Sequence, residues 1–515
     1  MILLPMVASA YDFSIDGIYY TIRTYGDGNN VHVDKGDEYY EGEIVIPSSV
    51  VYNDIEYQVI GINYNAFKDN TRLKKVTIPK SIESISDTFW GCSGLIEVIL
   101  PNSIKSIGSS TFYNCSSLEN INLPNQLETI GAGAFSDCVS LKEILIPKSV
   151  NDITGSLFWG CPSLSSIKVE EGNLKYDSRD NCNAIIDKET LCLISGCKST
   201  TIPAVIKSIG GDAFNGCTKL QSISIPESVT AIGPMAFARC TGLKSIKLPS
   251  GITTIEDQLF DECSSLEQVE LPSGVTKVGR YSFFKCSALT SFIIPRTVTE
   301  IGTYAFAYTP LQSITIPEGI TELENDIFKE CHNLNKVFLP STLKKIGNET
   351  FWRCYSLYDV WCYAPVAPYT TNSSFESAPY QSATLHIYKS ALDDYKVTWP
   401  WSDFAVYEFI KEGDKEQCAK PIISYNNGKL IFSCETEGVE YHWNISSANT
   451  GSGTGNEVTF EPTVIVSVYA SKDGYDDSDT TTMEFKGASS QGDVNGDGEV
   501  NITDVTYVID IINQK

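Results

Sequence analysis

Phenylalanine recurs in this chain at 67, 89, 112, 135 and 158, and again at 214, 237, 260, 283, 306, 328 and 351. Each step is 22 or 23 residues except the one from 158 to 214. Proline keeps the same beat at 79, 101, 124 and 147, then at 203, 226, 249, 272, 295, 317 and 340. Three residues after nearly every phenylalanine stands a cysteine, at 92, 115, 138, 161, 217, 240, 263, 286, 331 and 354, with Thr309 as the exception after Phe89. A fixed period of this length restricts the chain to a repeat architecture: one unit cannot bury its apolar face alone, whereas stacked units bury a continuous core.

The consensus A-F-x-x-C-x-x-L-x-x-I-x-I-P-x-x-V-x-x-I-G reads as one coil of a solenoid. In 141–147, Ile144 and Ile146 alternate with Glu143 and Leu145, the period of a short strand with one buried face. Pro147 ends that strand because it lacks the N–H for the next ladder bond. At ~4.7–4.9 Å between strands, about fourteen coils extend to about 70 Å. Each phenylalanine is expected to stack on its equivalents above and below.

A cysteine at one position per coil forms a ladder of small buried thiols, so the repeat predicts free cysteines. The candidates for pairing are those off the beat: Cys182, Cys192 and Cys197 in the long step, and Cys418 with Cys434. No C-x-x-C or Cys/His zinc spacing is present in the sequence.

With these residues in view, the repeat resembles the BspA-like leucine-rich repeats of bacterial surface proteins, from about Ile44 to about Phe409. Residues 11–20 (YDFSIDGIYY) resemble that family's N-terminal cap, and 173–197 its elongated repeat with a small hairpin. The resemblance implies adhesion or ligand binding on an exposed surface, not catalysis. The expected organisation is a signal remnant at 1–10, a cap at 11–60, a leucine-rich-repeat solenoid at 61–360 and terminal coils with a cap at 361–411. Beyond Lys411–Lys420, a charged linker, residues 417–487 alternate apolar and polar runs separated by Asn427-Gly428 and Asp473-Gly474 turns, which predicts an immunoglobulin-like β-sandwich.

The last segment, 491–515, carries the sharpest chemical motif. Asp493, Asn495 and Asp497 place oxygen ligands at positions 1, 3 and 5 of a twelve-residue calcium loop, and Gly498 makes the turn at position 6. Glu499 offers its backbone carbonyl, Asn501 stands at position 9, and Asp504 closes the loop before a short helix at 505–513. The segment resembles half of a type I dockerin. That resemblance implies bound Ca2+, while docking on a cohesin-like partner normally takes two such halves and is put in doubt by one.

The charge balance narrows the partners. Lys and Arg number 38 against 64 Asp and Glu, a net −26. So acidic a surface repels phosphate backbones and anionic headgroups, which argues against nucleic acid and against membrane binding. No apolar run reaches the ~18 residues of a membrane span. The opening MILLPMVASA ends in an A-x-A pattern, which predicts export with maturation after Ala10. The four histidines, His32, His332, His386 and His442, lie outside any H-E-x-x-H or G-x-S-x-G context, so no catalytic centre is assigned.

Two surface rows are candidates for contact with a ligand. One is the strand row Ile99, Asn122, Leu145, Lys168, Ser224, Lys247, Glu270, Ile293, Thr315 and Phe338. The other follows the phenylalanines by one residue: Trp90, Tyr113, Trp159, Phe284 and Trp352. These aromatics either anchor a partner or shield the turns between coils. The expected protein is a non-enzymatic, exported binding protein of the cell surface, outer membrane or extracellular space. Its ligand is an extracellular protein or glycan, and its alternative role is glycan capture or scaffolding in a polysaccharide-degrading assembly.

Overall fold

The computed structural model describes residues 11–23 and 28–410 and the strand segments 422–426, 429–433, 440–452, 459–471 and 480–486. The expected signal remnant at 1–10, the 411–420 linker and the segment Asp493–Asp504 read as a calcium loop lie outside the described residues.

The cap is a five-stranded sheet whose order is Phe13–Ile15, Ile18–Arg23, Asn30–Asp34, Ile55–Ile62, Ser49–Tyr52. Its hairpins are antiparallel, and the single parallel pair joins Asn30–Asp34 to Ile55–Ile62. A β-solenoid of about fifteen turns follows. The predicted strand appears where expected: Glu143–Ile146 runs parallel to Ser166–Val169, with Ile144 and Ile146 buried and Leu145 exposed.

Not every coil contributes that strand. At 120–122, 222–224 and 291–293 the alternation of buried and exposed side chains persists but no ladder forms. In the first of these, Asn120 and Asn122 are poor strand formers. The structure adds a second column that the sequence pattern did not announce, two-residue parallel strands at Ser84–Ile85, Ser106–Ile107, Thr129–Ile130 and Asp152–Ile153, and onward from Ser208–Ile209. In most of them an isoleucine points inward immediately before the next turn, with Val278 and Leu323 in its place in two coils and Thr370 in the last.

The phenylalanines form the predicted stack, broken once. Neighbouring rings from Phe67 to Phe158, and from Phe214 to Phe375, lie 5.1–5.9 Å apart between centroids and within 24° of parallel. The break at 158–214 is where the long step inserts its hairpin. Tyr176–Asp177, Ile185–Asp187 and Cys192–Ser195 form an antiparallel meander whose last strand pairs in parallel with Ser208–Ile209. Gly196 rests on Phe214 so closely that a Cβ there would fall 2.2 Å from the ring.

None of the fourteen described cysteines is in a disulfide, Cys182, Cys192 and Cys197 included; Cys418 and Cys434 lie outside the described residues. The ladder thiols have a specific partner. Nine of the ten, all but Cys217 after the hairpin insertion, donate to the carbonyl of the phenylalanine one coil back, as Cys92 to Phe67 (2.9 Å), Cys115 to Phe89 (3.2 Å), Cys263 to Phe237 (3.0 Å) and Cys354 to Phe328 (3.2 Å). Burial pushes these thiols well above the ordinary range, Cys138 to about 12. Where Thr309 replaces the cysteine, its hydroxyl bonds within its own coil, to the Phe306 carbonyl at 2.7 Å.

At the C-terminal end Trp401, Tyr395, Phe375 and Phe404 close the phenylalanine stack, with the Trp401 indole N–H donating to the Pro368 carbonyl (2.8 Å). Considered separately, the second unit contains an antiparallel pair, Ile422–Asn426 with Lys429–Ser433; the predicted Asn427-Gly428 turn lies outside the described residues. It also contains a three-stranded antiparallel sheet, Glu440–Ser452, Thr459–Ser471 and Thr481–Lys486.

Candidate functional site

The edge of the solenoid that carries the second candidate row is built by a turn around each phenylalanine. The residues two before and two after it, except before Phe158, adopt left-handed backbone, as at Gln258 (φ 59°) and Glu262 (φ 56°) flanking Phe260. The turn is fixed to its neighbour by two backbone bonds. Phe260 N–H donates to the Ser282 carbonyl (2.8 Å) and Glu262 N–H to the Phe284 carbonyl (2.8 Å). The ring therefore points inward, and the next side chain is held at the rim.

The structure brings the five predicted aromatics into two patches, all half-buried. In the first, Trp90 meets Tyr113 edge-on at 5.6 Å, and Tyr113 lies 6.3 Å from Trp159. The ammonium of Lys68 sits 3.6 Å over the Trp90 ring and the guanidinium of Arg239 5.3 Å over Trp159. In the second, Phe284 is bordered by Tyr281 and Tyr308, each at 5.3 Å, and by Lys285 at 5.0 Å. Lys329 links this patch to Trp352, lying 5.5 Å from Tyr304 and 4.8 Å from the indole, while Arg353 caps Trp352 at 3.9 Å.

Sequence reading missed Tyr281, Tyr304 and Tyr308 and every one of these cations. Tyr281 and Tyr304 stand two residues before their phenylalanines and Tyr308 two after, so extending the same beat to those columns would have found them.

The charges along the edge are tied together. Glu262 accepts from Arg239 Nε (3.2 Å) and Lys285 Nζ (3.1 Å), and Glu330 from Arg353 Nη1 (2.9 Å). Burial alone would push the Glu262 carboxyl up, but the hydrogen bonds from Lys285 and Arg239 outweigh it and hold it below the ordinary range. Asp137, beside Tyr113, is raised by its burial. Asp261 is raised furthest, to about 6, again mainly by burial and further by Glu262, against the pull of Arg239 and Lys285.

The strand row is exposed as predicted at nine of its ten members, with Ile293 the most open of the apolar ones. Phe338 departs from the row, half-covered by Trp361 at 5.8 Å. His386 of the terminal coils is buried, with Nε2 2.6 Å from Asp359 and Nδ1 3.3 Å from Glu408. Among the described residues, no group of three or more His, Cys, Asp or Glu is arranged to hold a metal.

No helix among the described residues is long and apolar enough to cross a membrane. No curated protein matches the chain. Solved structures similar to it include a leucine-rich repeat protein from Bacteroides ovatus, 27% identical, covering 78% of this chain and 100% of that one with a TM-score of 0.45. The pneumococcal vaccine antigen PcpA is 20% identical over 78% of this chain and 98% of its own, with a TM-score of 0.48. A leucine-rich cell surface protein from Faecalibacterium prausnitzii is 23% identical over 68% and 93%, with a TM-score of 0.39. The BspA-type leucine-rich repeat region matches at 60–186, 184–310 and 276–395, which takes in the coils whose phenylalanine and cysteine ladders are described above, and the chain belongs to that family.

Proposed function

We propose that this protein is a non-enzymatic interaction scaffold of the cell surface or extracellular space, whose repeat domain binds an extracellular protein through its aromatic edge. The observation that carries this reading is the pair of half-buried aromatic patches, each capped by lysine or arginine and fixed on a regular frame. Rigid Trp, Tyr and Arg side chains supply contact area at low ordering cost, which is why they dominate hot spots. Family membership and the A-x-A pattern at 8–10 support export and surface display.

In the same reading the second unit is a sandwich spacer, and Asp493, Asn495, Asp497, Glu499, Asn501 and Asp504 load Ca2+ in a dockerin-like tail. The tail gives a calcium-dependent contact, to a cohesin-like partner or within its own segment, that is independent of the aromatic edge.

The test is a binding screen of the full chain against immobilised extracellular-matrix proteins, with calcium and with chelator. Saturable binding that ignores chelator, and that falls by at least about tenfold when Trp90, Trp159 and Trp352 are all changed to Ser, is the expected result. Binding unaltered by the triple change, in a variant that keeps its melting temperature, removes the edge from the interface.

A further inference from the structure

Between the two aromatic patches the edge changes character. On five successive rungs the residue after the core phenylalanine is Trp159, Asn215, Ala238, Asp261 and Phe284. Their adjacency is fixed by backbone bonds from Gly160 N–H to Asn215 O (3.2 Å), Gly216 to Ala238 (2.8 Å), Arg239 to Asp261 (2.6 Å) and Glu262 to Phe284 (2.8 Å). Three short side chains thus lie between two rings that stand four rungs apart, about 19 Å at the usual strand spacing.

The polar members of this stretch lack donors. Asn215 is 4% exposed; its Nδ2 donates to Asp212 Oδ1 (2.7 Å), and its Oδ1 is buried without a partner. Asp261 is 6% exposed, and among the described residues no group donates a hydrogen bond to its carboxylate. The nearby cations, Arg239 and Lys285, bond Glu262, not Asp261, and they lie against the Trp159 and Phe284 rings. Asn215 Oδ1 is closed off from the surface, whereas the nearly buried Asp261 carboxylate is an acceptor without a donor, and a ligand that brings one relieves that cost.

We infer that the stretch from Trp159 to Phe284 binds a neutral, hydroxyl-rich chain, a linear saccharide of about four units lying along the rungs. A cationic ligand would meet Arg239 and Lys285, and an anionic one would meet Asp261 and Glu262. Hydroxyls satisfy both sets: they donate to Asp261, and they accept from Arg239 and Lys285. The C–H faces of pyranose rings suit the aromatic borders at the two ends. This inference goes beyond the protein-binding reading and shares with that edge only the two bordering rings, Trp159 and Phe284, and the Arg239 and Lys285 that lie against them.

Burial pushes the Asp261 carboxyl up to about 6, so it is the stronger acceptor above that pH, and saccharide affinity is expected to fall as pH drops from 7.5 to 5. The experiment is calorimetric titration of the full chain with four probes: cellotetraose, xylotetraose, mannotetraose and maltotetraose, with tetralysine as a fifth. Binding of at least one tetrasaccharide, weakened about tenfold or more by Asp261→Leu, is the expected result. Asp261→Asn keeps an acceptor and cannot titrate, so it is expected to retain binding and lose the pH dependence. The double change Trp90→Ser and Trp352→Ser is expected to leave saccharide binding intact, which separates this site from the protein-binding edge. The inference is overturned if no tetrasaccharide binds, if binding survives Asp261→Leu undiminished, or if tetralysine is the probe that depends on Asp261.

Discussion

The phenylalanine column and the column one residue beyond it run along the same solenoid, yet they follow opposite rules. Inside, Phe89, Phe112, Phe135, Phe237, Phe260 and Phe283 are the same residue in the same environment, fully buried and stacked. At the rim, the next positions read Trp90, Tyr113, Ser136, Ala238, Asp261 and Phe284. The backbone is common to both, so the difference lies in what each side chain must fit. A ring between two identical rings has one solution, and the repeat enforces it. A rim residue faces its own set of neighbours and is free to differ from coil to coil, which is where a binding specificity can be written.

That contrast is broken most sharply from inside. Phe237→Ala removes a ring between Phe214 and Phe260, at 5.2 and 5.9 Å, in a column that cannot collapse without moving two coils. The expected cost is about 3–5 kcal/mol in denaturant unfolding. Because each coil contacts only its neighbours, the loss should also appear as faster amide exchange in the adjacent coils before the distant ones. A melting curve indistinguishable from the parent would place the ring outside the core.

At the rim the expected effect is smaller and depends on pH. Asp261 is raised in the folded state to about 6, so between its ordinary value and about 6 the folded protein holds a proton that the unfolded chain has released. Stability contributed by that proton is present at low pH and is lost as pH rises through this window. Asp261→Asn does not titrate. Its advantage over the parent is therefore expected to be absent near pH 4 and to grow to about 1–2 kcal/mol above pH 6, a figure discounted for screening by Arg239, Glu262 and Lys285. Parallel unfolding curves at pH 4, 5, 6 and 7.5 check it, and a constant offset between the two proteins would show that Asp261 is not charged at the cost of burial.

The same contrast explains which parts of the fold were legible. Packing repeats the Phe67 and Cys92 columns, so the period alone located them, and with them the solenoid and its free thiols. The hairpin at 173–197 came from family resemblance, since its insertion interrupts the beat. The second strand column escaped because two residues, as in Ser106–Ile107, are too few to show an alternation. Of the rim, the aromatics Trp90, Tyr113, Trp159, Phe284 and Trp352 were visible as large residues on the beat. Their grouping was not: Lys68 and Lys329 stand in the rim column itself and Arg239 one residue further, but which ring each reaches is decided across coils, by packing that the period does not encode. Asn215 and Asp261 gave no signal at all. Their importance lies in hydrogen bonds not made, which a sequence does not display.

The smallest effect tests the backbone that both columns share. Gln258, two residues before Phe260, sits at φ 59°, where a side chain is disfavoured by roughly 1–2 kcal/mol. It is held there by its N–H, which donates to the Arg280 carbonyl at 2.7 Å, and glycine keeps that bond. Gln258→Gly removes the steric cost while adding chain entropy to the unfolded state. The expected net gain is about 0.5–1 kcal/mol in the denaturation midpoint. Gly216, in the matching position after Phe214, already has this advantage and needs it twice over, since its φ is 71° and a Cβ there would fall 2.6 Å from Gly160 N. If Gln258→Gly instead destabilises, the rim side chains contribute packing that outweighs their strain. The edge would then be held in place by its side chains, not only by the hydrogen-bonded turns beneath them.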